Sequence, residues 1–326
     1  MRTRLYIIGL ACLGFVGCTN GNDPHQPKNP PPKPPAKKTI SVDFNADSAY
    51  RYVAEQVAFG PRVPGTAAHG NTLIYLRKQL ARFCDTAYIL NGTHTDVNGN
   101  LRVVNNVMGS FNPSSKKRVI LAAHWDTRPQ ADEDSVHFTT PADGANDGAS
   151  GVGVLIEMAR QFKKLKPEFG VDIIFFDQED GGESGGHPNT WCIGSQYWSD
   201  QALNQGYEAQ YGILLDMVGA KGATFAHELN SVHFNHSLVL ETWKTGQQLG
   251  YSSYFLNVRG NLITDDHVFM KEYAGIPTID IIHYDLNTFN RFPDHWHRQT
   301  DNMDVIDKNT LKAVGHTVLH VVMNRG

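Results

Sequence analysis

The chain has 326 residues, of which 40% are hydrophobic and 19% charged, enough to bury one sizeable core. Its formal net charge is −4, and no Lys/Arg-rich stripe with interleaved aromatics interrupts it, which argues against a nucleic-acid partner. A small or peptidic partner is expected instead.

The first eighteen residues, MRTRLYIIGLACLGFVGC, join Arg2 and Arg4 to an apolar run from Leu5 to Val16. That run is short for a bilayer span and reads as a secretory signal peptide over residues 1–18. Its ending, FVGC, resembles a bacterial lipobox, so Cys18 is expected to become the acylated first residue of an exported, membrane-anchored protein. Residues 19–40 include DPHQPKNPPPKPPAKK, too rich in Pro and Lys to build a core and suited to an extended tether. Residues 41–326 are expected to form a single folded domain. Apart from Cys12 and Cys18, the cysteines are Cys84 and Cys192, which suit either a disulfide or two small buried hydrophobes.

Within that domain, LIYLRKQLARF puts Leu73, Leu76, Leu80 and Phe83 on one helical face. TDVNGNLRVVNNVMGSF reads as a hairpin, with Asn98 and Gly99 as the pair favoured in a tight type I′ turn. Four apolar runs follow, RVILAAH, VDIIFFD, YGILLDM and PTIDIIH, each continuous enough for a strand covered on both faces. Helical stretches separate or follow them: GVGVLIEMARQF, and a last helix with Leu311, Val314, Val318 and Leu319 on its apolar side. This alternation predicts an α/β three-layer sandwich with a central, mostly parallel mixed sheet flanked by helices.

In such sheets ligands collect beyond the carboxyl ends of the strands. Here those ends carry His124 and Asp126 in HWD, Asp147 in GANDGASG, Glu179 and Asp180 in QEDGG, and Asp216 in LLDMVGA, while HWHRQTDN adds His295 and His297. Taken singly, Asp147 could be a helix cap, Asp216 a solvated strand end and each histidine structural. Together they are the donor set that zinc accepts, and a cation would remove the mutual repulsion of the acids. Adjacent acids can then divide the work, one binding the ion and one left free to move protons.

The run HWD, NDGASG, QED, LDMVGA and HWH, with GPRVPGT at Gly60 to Thr66, resembles the zinc aminopeptidase and glutaminyl cyclase superfamily from about Phe44 to the C-terminus. The resemblance implies a zinc-dependent catalytic domain with Asp147, Asp180 and His297 as ligands of one Zn2+ and Glu179 as general base. It also implies that His124 and Asp216 occupy the positions that hold a second metal in the two-zinc aminopeptidases.

Three features point within that superfamily to the cyclases. TDDH, Thr264 to His267, matches the motif whose first acid, Asp265, joins an acid network and contacts the leaving amide. Trp296 precedes His297, with Phe292 in the matching FPxxWH spacing. Trp191 matches a pocket tryptophan of the bacterial branch, and Ile263 is expected to complete the wall. Asp180 stands where the animal enzymes carry Glu, Gly148 replaces a small hydroxylated residue, and Asp280 stands where they place a His.

The resemblance therefore implies a glutaminyl-peptide cyclotransferase of a Gram-negative envelope, with Glu179, Asp216 and Asp265 catalytic and peptides bearing N-terminal Gln as partners. No nucleic acid is implied, and membrane contact only through the lipid anchor. The alternative is a two-zinc aminopeptidase on the same scaffold. A catalytically silent binding module would have no need of Glu179.

Overall fold

The computed structural model describes residues 39–325. The signal segment, Cys18 and the tether up to residue 38 lie outside the described residues. Ile40 donates its N–H to Asn324 Oδ1 at 2.7 Å, so the described chain begins fastened to the last helix.

A six-stranded sheet runs in the order β1, β2, β4, β3, β5, β8. Its strands are β1 (Thr86–Thr95), β2 (Leu101–Phe111), β3 (Arg118–His124), β4 (Gly170–Phe176), β5 (Gly212–Asp216) and β8 (Thr278–Ile282). β1 pairs with β2, and β2 with β4, antiparallel; β4 with β3, β3 with β5 and β5 with β8 are parallel. Every residue of the four parallel strands is buried, as their unbroken apolar runs require. Two further strands, β6 (Phe225–His227) and β7 (Phe255–Arg259), form a small parallel sheet that the alternation pattern did not announce.

The helices on the larger core include α1 (Ala46–Val57), α2 (Ala67–Phe83), α3 (Ala149–Leu165), α5 (Leu229–Gln248) and α7 (Lys308–Arg325). α4 (Ile193–Asn204) and α6 (Asp266–Glu272) accompany the smaller core, where Trp198 and Met270 meet Ile120, Ile174 and Leu214. The three-layer sandwich read from the sequence is therefore present. On α2, Leu76 and Leu80 are fully buried and Leu73 and Phe83 pack at the edge of the same core.

The hairpin exists, but its turn differs from the expected one. Only Gly99 takes a positive φ, 83°, whereas a type I′ turn needs it at both central residues. The loop is instead organised by Asp96, whose carboxylate accepts the N–H groups of Asn98 (3.0 Å) and Asn100 (2.9 Å). That side-chain bond favours a longer loop closing on left-handed Gly99.

α3 lies close on the sheet because Gly151 has no side chain. A Cβ there would sit 2.2 Å from the Leu215 carbonyl oxygen and 2.9 Å from Ala123 Cβ, one residue before Asp216 and one before His124. Gly151→Ala should thus push α3 off the two strand ends and cost at least about 2 kcal/mol, on the scale of core overpacking. Urea unfolding of the variant measures this, and an unchanged midpoint would contradict the packing account.

Candidate active site

Parallel strands deliver their ends to one edge. β3 finishes at His124, β5 at Asp216, and β4 at Phe176 just before the Asp177–Asp180 turn. Asp147 immediately precedes α3, whose N-cap position is taken by Gly148 without a side-chain bond, so Asp147 is not the helix cap. Its carboxylate is left for the site.

Two overlapping clusters result. Asp147, Asp180 and His297 bring one donor atom each within 4.8 Å of one another, and so do His124, Asp147 and Asp216. His297 Nε2 lies 3.1 Å from Asp180 Oδ1 and 3.8 Å from Asp147 Oδ2. His124 Nε2 lies 2.9 Å from Asp147 Oδ1 and 3.2 Å from Asp216 Oδ1. All five side chains are buried. His295 stands apart, with Nε2 3.1 Å from the Asn146 amide nitrogen and no place in either cluster.

Burial and crowding shift the titration of these groups. Burial pushes Asp216 up to about 7, with Asp147 adding to the rise and His124 opposing it. Burial would lower His297, but Asp180, Asp132 and Asp147 overcome it and raise the imidazole to about 10. Glu179 is held well above the usual carboxylate range by burial, helped by Asp265 and Asp180 against His124. Asp280 is likewise raised by burial and by the neighbouring Asp265. Acids forced together with two imidazoles form a site that a divalent cation would relieve, and the carboxylate and imidazole donors suit zinc.

Beside the first cluster opens a cavity of about 290 Å³. Its lining includes Glu179, Trp191, Ile263, Asp265, Phe292 and Trp296, together with Asp147, Asp180, Asp216 and His297. The expected metal, catalytic and wall residues thus line one cavity, except the buried His124, whereas Asp126 and His295 of the same motifs do not line it. Trp296 stacks on His297 with ring centroids 3.7 Å apart, and Phe292 lies 4.6 Å from Trp296. Trp191 approaches the Gly182 backbone so closely that a Cβ at Gly182 would be 2.1 Å from its ring.

Asp126, grouped with the donors in the sequence, and four residues not singled out there, Asp301, Arg62, Asp132 and Arg128, hold this arrangement. Asp126 accepts the N–H groups of Glu179 (3.0 Å) and Asp180 (3.2 Å), and Asp301 those of Asn146 (2.8 Å) and Asp147 (3.1 Å). Arg62, fully buried, donates to the carbonyls of Trp125 (3.1 Å) and Gly144 (2.7 Å). Asp132 Oδ1 lies 3.1 Å from His297 Nδ1 and is clamped by Arg128, which also donates to the Asp180 carbonyl at 3.0 Å and covers the Trp191 ring at 4.4 Å. The signal available in the sequence was the acid beside each motif, Asp126 in HWD and Asp301 in HRQTD; Asp132 had none.

The family model described as Peptidase family M28 matches residues 106–322. The chain belongs to peptidase family M28. Among solved structures, a Zn-dependent exopeptidase from Parabacteroides distasonis is 49% identical, with a TM-score of 0.84 over 87% of this chain and 99% of that one. The glutaminyl cyclase of Porphyromonas gingivalis is 45% identical, with a TM-score of 0.84 over the same shares. Bovine glutaminyl-peptide cyclotransferase is 27% identical over 245 residues, 64% of this chain and 63% of that protein, so the match spans less than two thirds of the animal protein's length.

In this M28 site, Asp132 fixes the ring of His297 by the nitrogen that faces away from the acid cluster. Asp132→Ala should therefore weaken Zn2+ binding about 10- to 100-fold, the usual effect of removing a carboxylate behind a histidine ligand. Competition with a chromophoric chelator measures it, and wild-type affinity would remove Asp132 from the metal-holding set.

Proposed function

We propose that this chain is a zinc-dependent glutaminyl-peptide cyclotransferase, which converts the N-terminal Gln of peptides to pyroglutamate and releases ammonia. The observation that carries the reading is the cavity itself. Its volume is at the small end for ligand pockets, it is walled by Trp191, Phe292, Trp296 and Ile263, and the acids Glu179 and Asp265 line it beside the metal cluster. Such a space suits one side chain and its α-amine, with the rest of the peptide outside. The M28 membership and the 45% identity to a bacterial glutaminyl cyclase support the same reading.

Asp147, Asp180 and His297 would hold the zinc, with His124 and Asp216 as the outer pair around Asp147. When bound, the ion supplies Lewis-acid polarisation of the γ-amide carbonyl. Glu179 accepts a proton from the substrate's α-amine as that nitrogen attacks the γ-carbonyl carbon and closes a five-membered ring. It then returns the proton to the amide nitrogen, the carbon–nitrogen bond breaks and ammonia leaves. Its raised affinity for protons suits both transfers. Asp265, with Asp216, faces the cavity where the leaving amide must lie. The aromatic walls restrict water, and the amine is already tethered to its target, so the site's main task is geometry.

Incubation with a Gln-initiated dipeptide should give the pyroglutamyl dipeptide and ammonia, detected by mass spectrometry. Free glutamine would instead reveal an aminopeptidase. Glu179→Gln should retain zinc and lose at least about a hundredfold in rate, the scale of losing a general base; near-normal turnover would refute the assignment.

We extend the proposal to location: an exported protein lipid-anchored in a Gram-negative envelope. Arg2, Arg4, the apolar run and Cys18 support it, and among the described residues no helix is long and apolar enough to cross a membrane. Metabolic labelling with palmitate should mark the wild-type chain and not Cys18→Ala; equal labelling would exclude Cys18 as the acylation site.

A further inference from the structure

Cys84 and Cys192 are both free thiols in the fold, and they differ in surroundings. Cys84 lies partly buried against the larger core. Cys192 is fully buried at the start of α4, and its Sγ is 3.3 Å from Glu179 Oε1. Among the described residues this thiol is the one hydrogen-bond donor to the Glu179 carboxylate, since the nearest imidazole nitrogen, His124 Nδ1, is 3.8 Å from Oε2. A carboxylate oxygen of Asp265, on the cavity wall, lies within 4.8 Å of both the thiol and Glu179.

The backbone aims this contact. Cys192 adopts a left-handed conformation, φ 58° and ψ 34°, unusual for a residue with a side chain. Its N–H donates to the Glu179 carbonyl at 2.9 Å, and the N–H of Ile193 donates to the Gln178 carbonyl at 3.0 Å. Two main-chain bonds thus bind the start of α4 to the turn carrying Glu179, and the thiol adds a third bond to the carboxylate. Burial beside Glu179, Asp266 and Asp265 keeps the sulfur protonated and therefore a donor.

We propose that Cys192 is a positioning residue, whose S–H holds the Glu179 carboxyl in the orientation needed to exchange protons with substrate. The proposal rests on the cyclotransferase reading for the reaction it serves. A thiol suits this task because it donates weakly. It selects one rotamer of the carboxylate yet leaves it a strong proton acceptor.

The test compares Cys192→Ala and Cys192→Ser with wild type on a Gln-initiated dipeptide, recording kcat, KM and zinc content. Ala should lower kcat about tenfold, the equivalent of one hydrogen bond, with KM and zinc unchanged. Ser, which keeps a donor, should recover most of that loss. Unchanged kcat in Ala overturns the proposal, and so does a loss that Ser does not mend or that comes with lost zinc, because that pattern belongs to packing. The S–H infrared band that disappears in Cys192→Ala gives a readout independent of turnover. In Glu179→Ala it should move to higher frequency as the bond is lost, and a band that stays in place overturns the proposal. Wild type that yields no pyroglutamyl product would sink the cyclotransferase reading alone, leaving the infrared result to decide on the contact.

Discussion

The structure depends on one electrostatic constraint: Asp147, Glu179, Asp180, Asp216, Asp265 and Asp280 crowd together at and just inside the carboxyl edge of one sheet, with His124 and His297 in the two metal clusters and His267 beside Asp265 and Asp280. Two like charges 4 Å apart cost about 1 kcal/mol in water and several times that at a partly buried site. Six acids cannot all ionise there without compensation. Burial and mutual repulsion accordingly raise Glu179, Asp180, Asp216, Asp265 and Asp280. Asp147 is the exception, its burial outweighed by His124, whose Nε2 lies 2.9 Å from its carboxylate, and by His297. Asp147 is also the residue common to both metal clusters. The acid that stays most readily ionised is the one a shared cation would need.

Such an edge must be held in place against its own repulsion, and the backbone does part of this. Among the described residues seven non-glycine positions have positive φ, and four of them, Gln178, Cys192, Met217 and His297, are in or next to the site. Backbone in this region costs free energy and persists where surrounding bonds over-determine it. The bonds are visible: Asp126 fixes the Glu179 and Asp180 amides, Asp301 those of Asn146 and Asp147, and Arg62 ties the Gly144 loop to Trp125. Each anchor is buried and reaches across from a distant part of the chain.

This division explains what was legible in the sequence. The parallel strands are legible because complete burial demands unbroken apolar runs, and strand ends in such sheets converge, which groups His124, Glu179, Asp180 and Asp216 from the sequence alone. Asp265, Trp191, Phe292 and Trp296 needed a family resemblance, because their loops have no periodicity to place them. The hairpin turn was misjudged because the Asn98-Gly99 pair signals a backbone preference, while the deciding contact is the Asp96 carboxylate two residues earlier. Asp132 and Arg128 escaped notice because their partners, His297 and Trp191, lie far off in sequence. Cys192 could be counted as a thiol, but its aim at Glu179 follows from a left-handed backbone that residue type alone does not encode.

The same edge can serve hydrolysis or cyclisation, and what separates them is the nucleophile that the walls admit. A hydrolase must seat water between metal and base. Cyclisation needs the α-amine of a bound glutaminyl residue folded back on its own side chain, a tethered arrangement whose advantage is worth several kcal/mol when the geometry is held. Trp296 and Phe292 pack against each other at the cavity wall, Trp191 is pinned between Arg128 and Gly182, and Ile263 and Asp265 complete the lining. Nothing in the donor set distinguishes the two reactions. The difference must lie in the shape of the cavity, whose loops are held by the same buried acids and Arg62.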